Sequence, residues 1–337
     1  MNNYKPLLAI TMGDPAGAGP EITVKALADR EIQGLCRGLV IGDAETMRAA
    51  VDIVGADMRV EVVQGAKEME DSADVLHVID LKNVDVPSLV RGRVHPEAGR
   101  AAYESIEKAT LMTLAGEAEA VVTAPLNKDA LNQAGYHFPG HTQILAHLSG
   151  VSDAVMMLAA DNLRIAHVST HVSLREACDL VTRERILRVM ELGVEAVRNM
   201  GIENPRVVVP GLNPHSGEGG LFGDEEVKHI IPAIEEAKDK GFDVRGPLPP
   251  DTAFLRAFRG EFDLVIAMYH DQGHIPIKMV GFEKGVNVTL GLPIIRTSVD
   301  HGTVFGKAGK GTADPTSMIE AIKLAATMCR TVRARGG

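Results

Sequence analysis

Short apolar runs recur along this chain, and most end in a polar or glycine-bearing turn before a helical pattern begins. LLAIT (7–11), RGLVIGD (37–43), EAVVTAPLNKDAL (119–131), LRIAHVSTHVSLREAC (163–178), PRVVVPGLNPHSGEGG (205–220) and FDLVIAMYHDQGHIPIK (262–278) follow this plan, and MRVEVVQ and DVLHVIDL read as further strands. HPEAGRAAYESIEKATLMTLAG (95–116) has the spacing of an amphipathic helix that ends at Gly116. This rhythm predicts an α/β fold with a largely parallel sheet. A length of 337 residues allows about two domains. No repeat or linker separates them, so the chain is expected to cross between domains more than once.

In such folds ligands bind beyond the carboxyl ends of the strands. The residues there are unusually polar: Asp14, Thr123 and Asn127, His171, Asn213 and His215, His270 and Asp271. The first loop, GDPAGAGPE (13–21), fits neither common phosphate template. Its glycines fall as G-x-x-x-G-x-G, and Pro20-Glu21 stands where a Walker loop needs Lys-Ser/Thr. A tight strand–helix turn without ligand and a backbone approach to a ligand both remain open. Pro20 and Glu21 suit the first turn of a helix.

His171, His215 and His270 each follow an apolar run. Three imidazoles from separate loops could hold Zn²⁺ or another nitrogen-accepting divalent ion, and the alternative is three local caps. Asp271 could orient a histidine or ligate, and Gly273 is expected to make a turn. Lys278 could act as an acid, and Arg296, in an apolar context, calls for an anionic partner. Thr142 is a candidate N-cap for TQILAHL, with His141 beside that helix start.

Composition removes other classes. A formal charge of −10 and an aromatic content of 4% argue against a nucleic-acid groove. No apolar run reaches membrane-helix length, and MNNYKPLLAI lacks a leader pattern. Cys36, Cys178 and Cys329 are far apart and odd in number, which predicts reduced thiols in a cytoplasmic protein.

Taken together, GDPAGAGPE, TAPLNK (123–128), GHT (140–142), STHVSL (169–174), GLNPHSGEGG (211–220), GPLPPDT (246–252), YHDQGHIPIK (269–278) and GVNVTLGLPIIRTSVDHGT (285–303) resemble the 4-hydroxythreonine-4-phosphate dehydrogenase family. The segment HGTVFGKAGKGTADP (301–315) also resembles a broader group of metal-dependent dehydrogenases. The resemblance implies two α/β domains with a cleft between them, isocitrate/isopropylmalate dehydrogenase-like and not standard Rossmann. It divides the chain into 1–125 with about 285–337, and about 126–284, the latter carrying metal and dimer contacts. It implies His171, His215 and His270 as ligands of one Zn, Mg or Co ion at a site formed where two subunits of a homodimer meet. His141, Thr142, Lys278, Asn287 and Arg296 would bind substrate, with Lys278 and Asp271 catalytic. Residues that bind the cofactor, NAD or NADP, are not identified. The implied reaction oxidises 4-phosphohydroxy-L-threonine, with decarboxylation, in pyridoxal 5′-phosphate biosynthesis. D-threonate or D-erythronate 4-phosphate is the alternative substrate, and a zinc aldolase or hydrolase a more distant one. His274, Gln143 and Ala18 depart from the family's pattern and leave the substrate open.

Overall fold

The computed structural model describes residues 4–70 and 72–336, so residues 1–3, part of the segment read for a leader, lie outside it. Twelve strands are present among the described residues: β1 (Leu7–Thr11), β2 (Arg37–Gly42), β3 (Arg59–Val62), β4 (Val75–Asp80), β5 (Ala120–Thr123), β6 (Val155–Ala160), β7 (Leu163–His167), β8 (Arg206–Pro210), β9 (Asp243–Leu248), β10 (Leu264–Ala267), β11 (Val286–Leu290) and β12 (Ile295–Val299). The contacts group the chain into two units, Met1–Ala154 with Leu292–Gly337, and Val155–Gly291.

In the first unit the order is β3-β4-β2-β1-β5-β12, and every pairing is parallel. Helices cover a parallel sheet on both faces, so its strands read as continuous apolar runs. β1 and β5 are buried throughout, as this requires. The helix Pro96–Leu114 starts with Pro at its first turn, and Gly116 follows with φ +74°. Its Gly99 lets the helix Lys128–Gln133 approach closely, because a Cβ there would meet the Ala130 backbone at 2.2 Å. Leu126, Leu131, Ile144 and Leu145 join Ala102, Tyr103 and Ile106 in one core. Residues 126–154 therefore group with the first unit, whereas the sequence-based division assigns them to the second.

The second unit runs β11-β6-β7-β10-β8-β9. β11–β6 and β6–β7 are antiparallel, and β7–β10, β10–β8 and β8–β9 are parallel. The short turn between β6 and β7 permits only an antiparallel pair. Phe254 and Phe262 pack with Val265 and Ile165 in this unit's core. Among the described residues no helix is long and apolar enough to cross a membrane.

Two expectations about local structure are corrected. Gly273 makes no turn. It lies inside the helix His270–Gly281, where a Cβ would stand 2.4 Å from His167 Nε2. Nor does Thr142 cap its helix, which begins one residue earlier at His141 with Gly140 in the cap position and no side-chain cap bond.

Candidate active site

In the first unit the opening loop is closed rather than open. Residues 11–20 are all buried. Asp14 N–H donates to the Pro125 carbonyl, Ala16 N–H to Asp14 Oδ1, Gly17 N–H to the Asp14 carbonyl and Ala18 N–H to the Thr303 carbonyl. Those donors are used within the protein, so they form no phosphate cradle. Gly13, at φ +75°, permits this path, and a Cβ there would meet the Pro125 carbonyl at 2.7 Å. Burial raises the Asp14 carboxyl to about 6, against the pull of the backbone N–H groups of Ala16 and Gly17. Glu21, on the helix Gly19–Ala28, accepts N–H bonds from Gly309 and Gly311, while Lys25 Nζ donates to the Gly311 and Ala313 carbonyls. The glycine-rich segment 309–313 is thereby fastened to the first helix.

Beyond β5 a cationic group assembles. Arg296 on β12 is only 2% exposed, and its Nη2 donates to Thr123 Oγ1 at 2.6 Å. Desolvation lowers its guanidinium to about 9, still charged at neutral pH. His141 is held well below the usual imidazole range, first by burial and then by Arg296, while its bond to the Ala124 backbone acts the other way. It is therefore a neutral imidazole, and its buried Nε2 has no hydrogen-bond partner among the described residues. The uncapped start of the helix His141–Leu148 adds backbone N–H groups. A buried guanidinium, a hydroxyl and helix-start donors together suit a phosphate or carboxylate.

The second unit gathers imidazoles. His171, beyond β7, and His270, beyond β10, have ring centroids 5.9 Å apart. His270 Nδ1 is 2.7 Å from Asp271 Oδ1, which leaves Nε2 for another partner. Both histidines and Asp271 line a cavity of about 330 Å³ with Thr170, Val172 and Tyr269. His274 stacks on His270, and His167 packs behind it. Burial, first of all, holds both in the neutral form, at about 4 for His274 and about 3 for His167.

Among the described residues no three His, Cys, Asp or Glu side chains group closely enough to hold an ion by themselves. Two of the three expected donors come close to fitting one. A ring nitrogen lies about 1.1 Å from its centroid and a metal–nitrogen bond is about 2.1 Å, so two imidazoles on a tetrahedral ion have centroids about 5.2 Å apart. His171 and His270, at 5.9 Å, stand slightly beyond that separation, and the Asp271 carboxylate on Nδ1 is the usual support of a ligating histidine. His215 stands apart, with its ring 6.2 Å from that of Phe222.

The family profile described as pyridoxal phosphate biosynthetic protein PdxA matches residues 34–325. This chain belongs to that family. It is 47% identical to the D-threonate 4-phosphate dehydrogenase of Pectobacterium atrosepticum, over 95% of this chain and 98% of that one. A crystal structure of a 4-hydroxythreonine-4-phosphate dehydrogenase from Burkholderia phymatum is 48% identical, with a TM-score of 0.85 over 97% of this chain and 99% of that one. A second, from Klebsiella pneumoniae, is 43% identical, with a TM-score of 0.89 over 98% and 99%. The chain is thus a member of a dehydrogenase family with the α/β architecture expected from its sequence.

Within this PdxA-family chain, His141, Thr142 and Arg296 belong to the first unit, and His171, His215, His270, Asp271, Lys278 and Asn287 to the second. Lys278 is exposed two turns along the helix from His270, about 12 Å in rise, with its ammonium over the Phe282 ring. Asn287 lies on β11, opposite Leu158. Sequence reasoning missed three supporting residues. Gln272 accepts from Met268 N–H and donates to the Gly211 carbonyl, tying the 211 loop to the helix that carries His270. Glu226 accepts from the backbone and side chain of Asn213, steadying the loop of His215. Tyr269 lines the cavity. Gln272 and Tyr269 flank the HD pair in YHDQG, a signal that was available. Glu226, at thirteen residues from Asn213, left none.

Proposed function

We propose that this protein catalyses the divalent-metal-dependent, NAD- or NADP-linked oxidation of the secondary alcohol of a phosphorylated four-carbon acid, followed by loss of CO₂ from the β-keto acid. The observation that carries the reading is the pairing of His171 with a carboxylate-supported His270 beside one cavity. The buried Arg296 with neutral His141 supports an anionic substrate.

When bound, the ion (Zn, Mg or Co) supplies Lewis-acid polarisation of the alcohol oxygen, and the nicotinamide supplies the hydride acceptor. His171, His215 and His270 would hold the ion, with Asp271 fixing the His270 tautomer at Nδ1. His215 lies in a run of positive φ from 215 to 219, a conformation that costs energy in His, Ser and Glu. Arg296, Thr142 and His141 would grip phosphate or carboxylate, Asn287 a polar substrate group, and Lys278 Nζ would carry the alcohol proton.

The second unit also leaves apolar side chains in water on the His270 helix and just beyond it: Ile275 is 57% exposed, Met279 82% and Phe282 71%. Such a face supports a homodimer that covers it, with the active site beside the subunit contact. Dispersed cysteines support a reducing, cytoplasmic setting.

Of the two substrates we favour D-threonate 4-phosphate, in sugar-acid catabolism, because a relative 47% identical over almost the whole chain bears that name. The names of the crystal structures support 4-phosphohydroxy-L-threonine. The test is NADH or NADPH formation by metal-loaded protein, with NAD and with NADP, from each, and from D-erythronate 4-phosphate. Turnover of D-threonate 4-phosphate with the highest kcat/KM is expected. A preference for the amino acid reverses the assignment, and no reduced nicotinamide from any of them with either cofactor refutes the dehydrogenase reading.

A further inference from the structure

His270 stands at the end of a column of imidazoles that the metal reading leaves unused. His274, one turn on, stacks on it with ring centroids 3.6 Å apart and planes within 11°. His274 Nδ1 is 3.0 Å from the His270 carbonyl oxygen. A carbonyl only accepts, so this Nδ1 bears the proton. Behind His274 lies His167, 1% exposed and 4.8 Å away by centroid. His167 is in turn close to the backbone, with Nδ1 3.4 Å from the Met156 carbonyl. Gly273 lets the helix press against it. The column therefore runs from a ring anchored in the core to a ring at the cavity. On its other side His270 is held by Asp271, whose side chain is 70% exposed. An exposed contact of that kind restrains a side chain weakly.

We propose that His274 is a positioning residue. By stacking on His270 it holds that ring in the orientation from which Nε2 takes a divalent ion, and so raises metal affinity. The proposal rests on the reading of His270 as a ligand. An aliphatic side chain at 274 would fill the space without defining a plane, whereas a flat ring would define the plane even without the hydrogen bond.

The test is Co²⁺ titration of metal-stripped protein, followed by ligand-field absorption and by competition with a chromophoric chelator. The variants are His274→Leu, His274→Asn, His274→Phe and His270→Ala, each melted without metal to read its fold. Loss of a group that orients a ligand costs about 10- to 100-fold in metal affinity. His274→Leu and His274→Asn are expected to lose about tenfold or more, Asn despite keeping a donor for the His270 carbonyl. His274→Phe should stay within about threefold of the parent. Parental affinity in the Leu and Asn variants, with His270→Ala unable to bind, overturns the proposal while leaving the ligand reading intact. Parental affinity in His270→Ala overturns the ligand reading itself. Should His274→Leu fail to fold, the Phe–Asn contrast decides, and equal affinities there overturn the role of the stack.

Discussion

The two units handle the polar residues of their candidate sites differently. The first buries them: Asp14, Glu21 and Arg296 sit in the interior, and the loops around them spend their N–H groups on carbonyls and carboxylates of the same unit. The second buries His167, His274, Gln272 and Glu226 but exposes the outer residues of its site: His171, His215 and Asp271 are open to solvent, and Leu221, Phe222, Met279 and Phe282 are exposed apolar residues. Burial makes a cationic site rigid, and desolvation makes it demand an anion. Exposure puts these imidazoles within reach of an ion and of a neighbouring chain. Changes in the first unit should therefore register largely as stability or substrate affinity, and changes in the second as metal affinity and turnover.

His270→Ala is the largest test. Turnover should fall about 10³-fold or more, while the melting temperature of the metal-free protein stays close to the parent, because the side chain is half exposed and its bond to Asp271 faces water. A large loss of stability would erase the contrast. Asp14→Asn should act the other way. The folded pKa of about 6 lies above the unfolded 3.8, so the folded state binds the extra proton between these values. Stability then declines as pH rises from about 3.8 to 6 and levels off above. The difference between these values corresponds to at most about 3 kcal/mol. The variant should out-melt the parent at pH 7, and the gap should close near pH 4; a gap independent of pH would refute the buried ionisation. Gly273→Ala asks whether the second unit has a rigid part. Its Cβ would collide with His167, so chemical denaturation should report a loss of about 1–3 kcal/mol. An unchanged midpoint would show that His167 yields. Arg296→Lys is the finest test. Lys cannot reproduce the fork, so KM for the phosphorylated acid should rise about tenfold with Co²⁺ affinity unchanged. An unchanged KM would remove Arg296 from the substrate site.

Much of this was written in local pattern. Eight of the twelve described strands follow from the apolar runs, whereas β6, β9, β11 and β12 were not read, and the polar residues after the runs mark strand ends near both clusters. The start of the first helix followed from Pro20 and Glu21. Failures came where a residue's role depended on a distant neighbour. Gly273 has the composition of a turn, yet His167 needs it inside a helix. Thr142 resembles a cap, but Gly140 already occupies that position. His274 read as a departure of open meaning, and its stacking partners lie one turn back and on another strand.

By itself the sequence determined the α/β class, the parallel bias and the residue types available for an ion and an anion, because period and turn chemistry act over a few residues. Tertiary structure decided which of them meet. It closed the GDPAGAGPE loop by spending its N–H groups, desolvated Arg296 beside His141, and set His171 near His270 while leaving His215 apart. Those outcomes depend on burial and on contacts between residues about a hundred or more positions apart, and no local pattern encodes them.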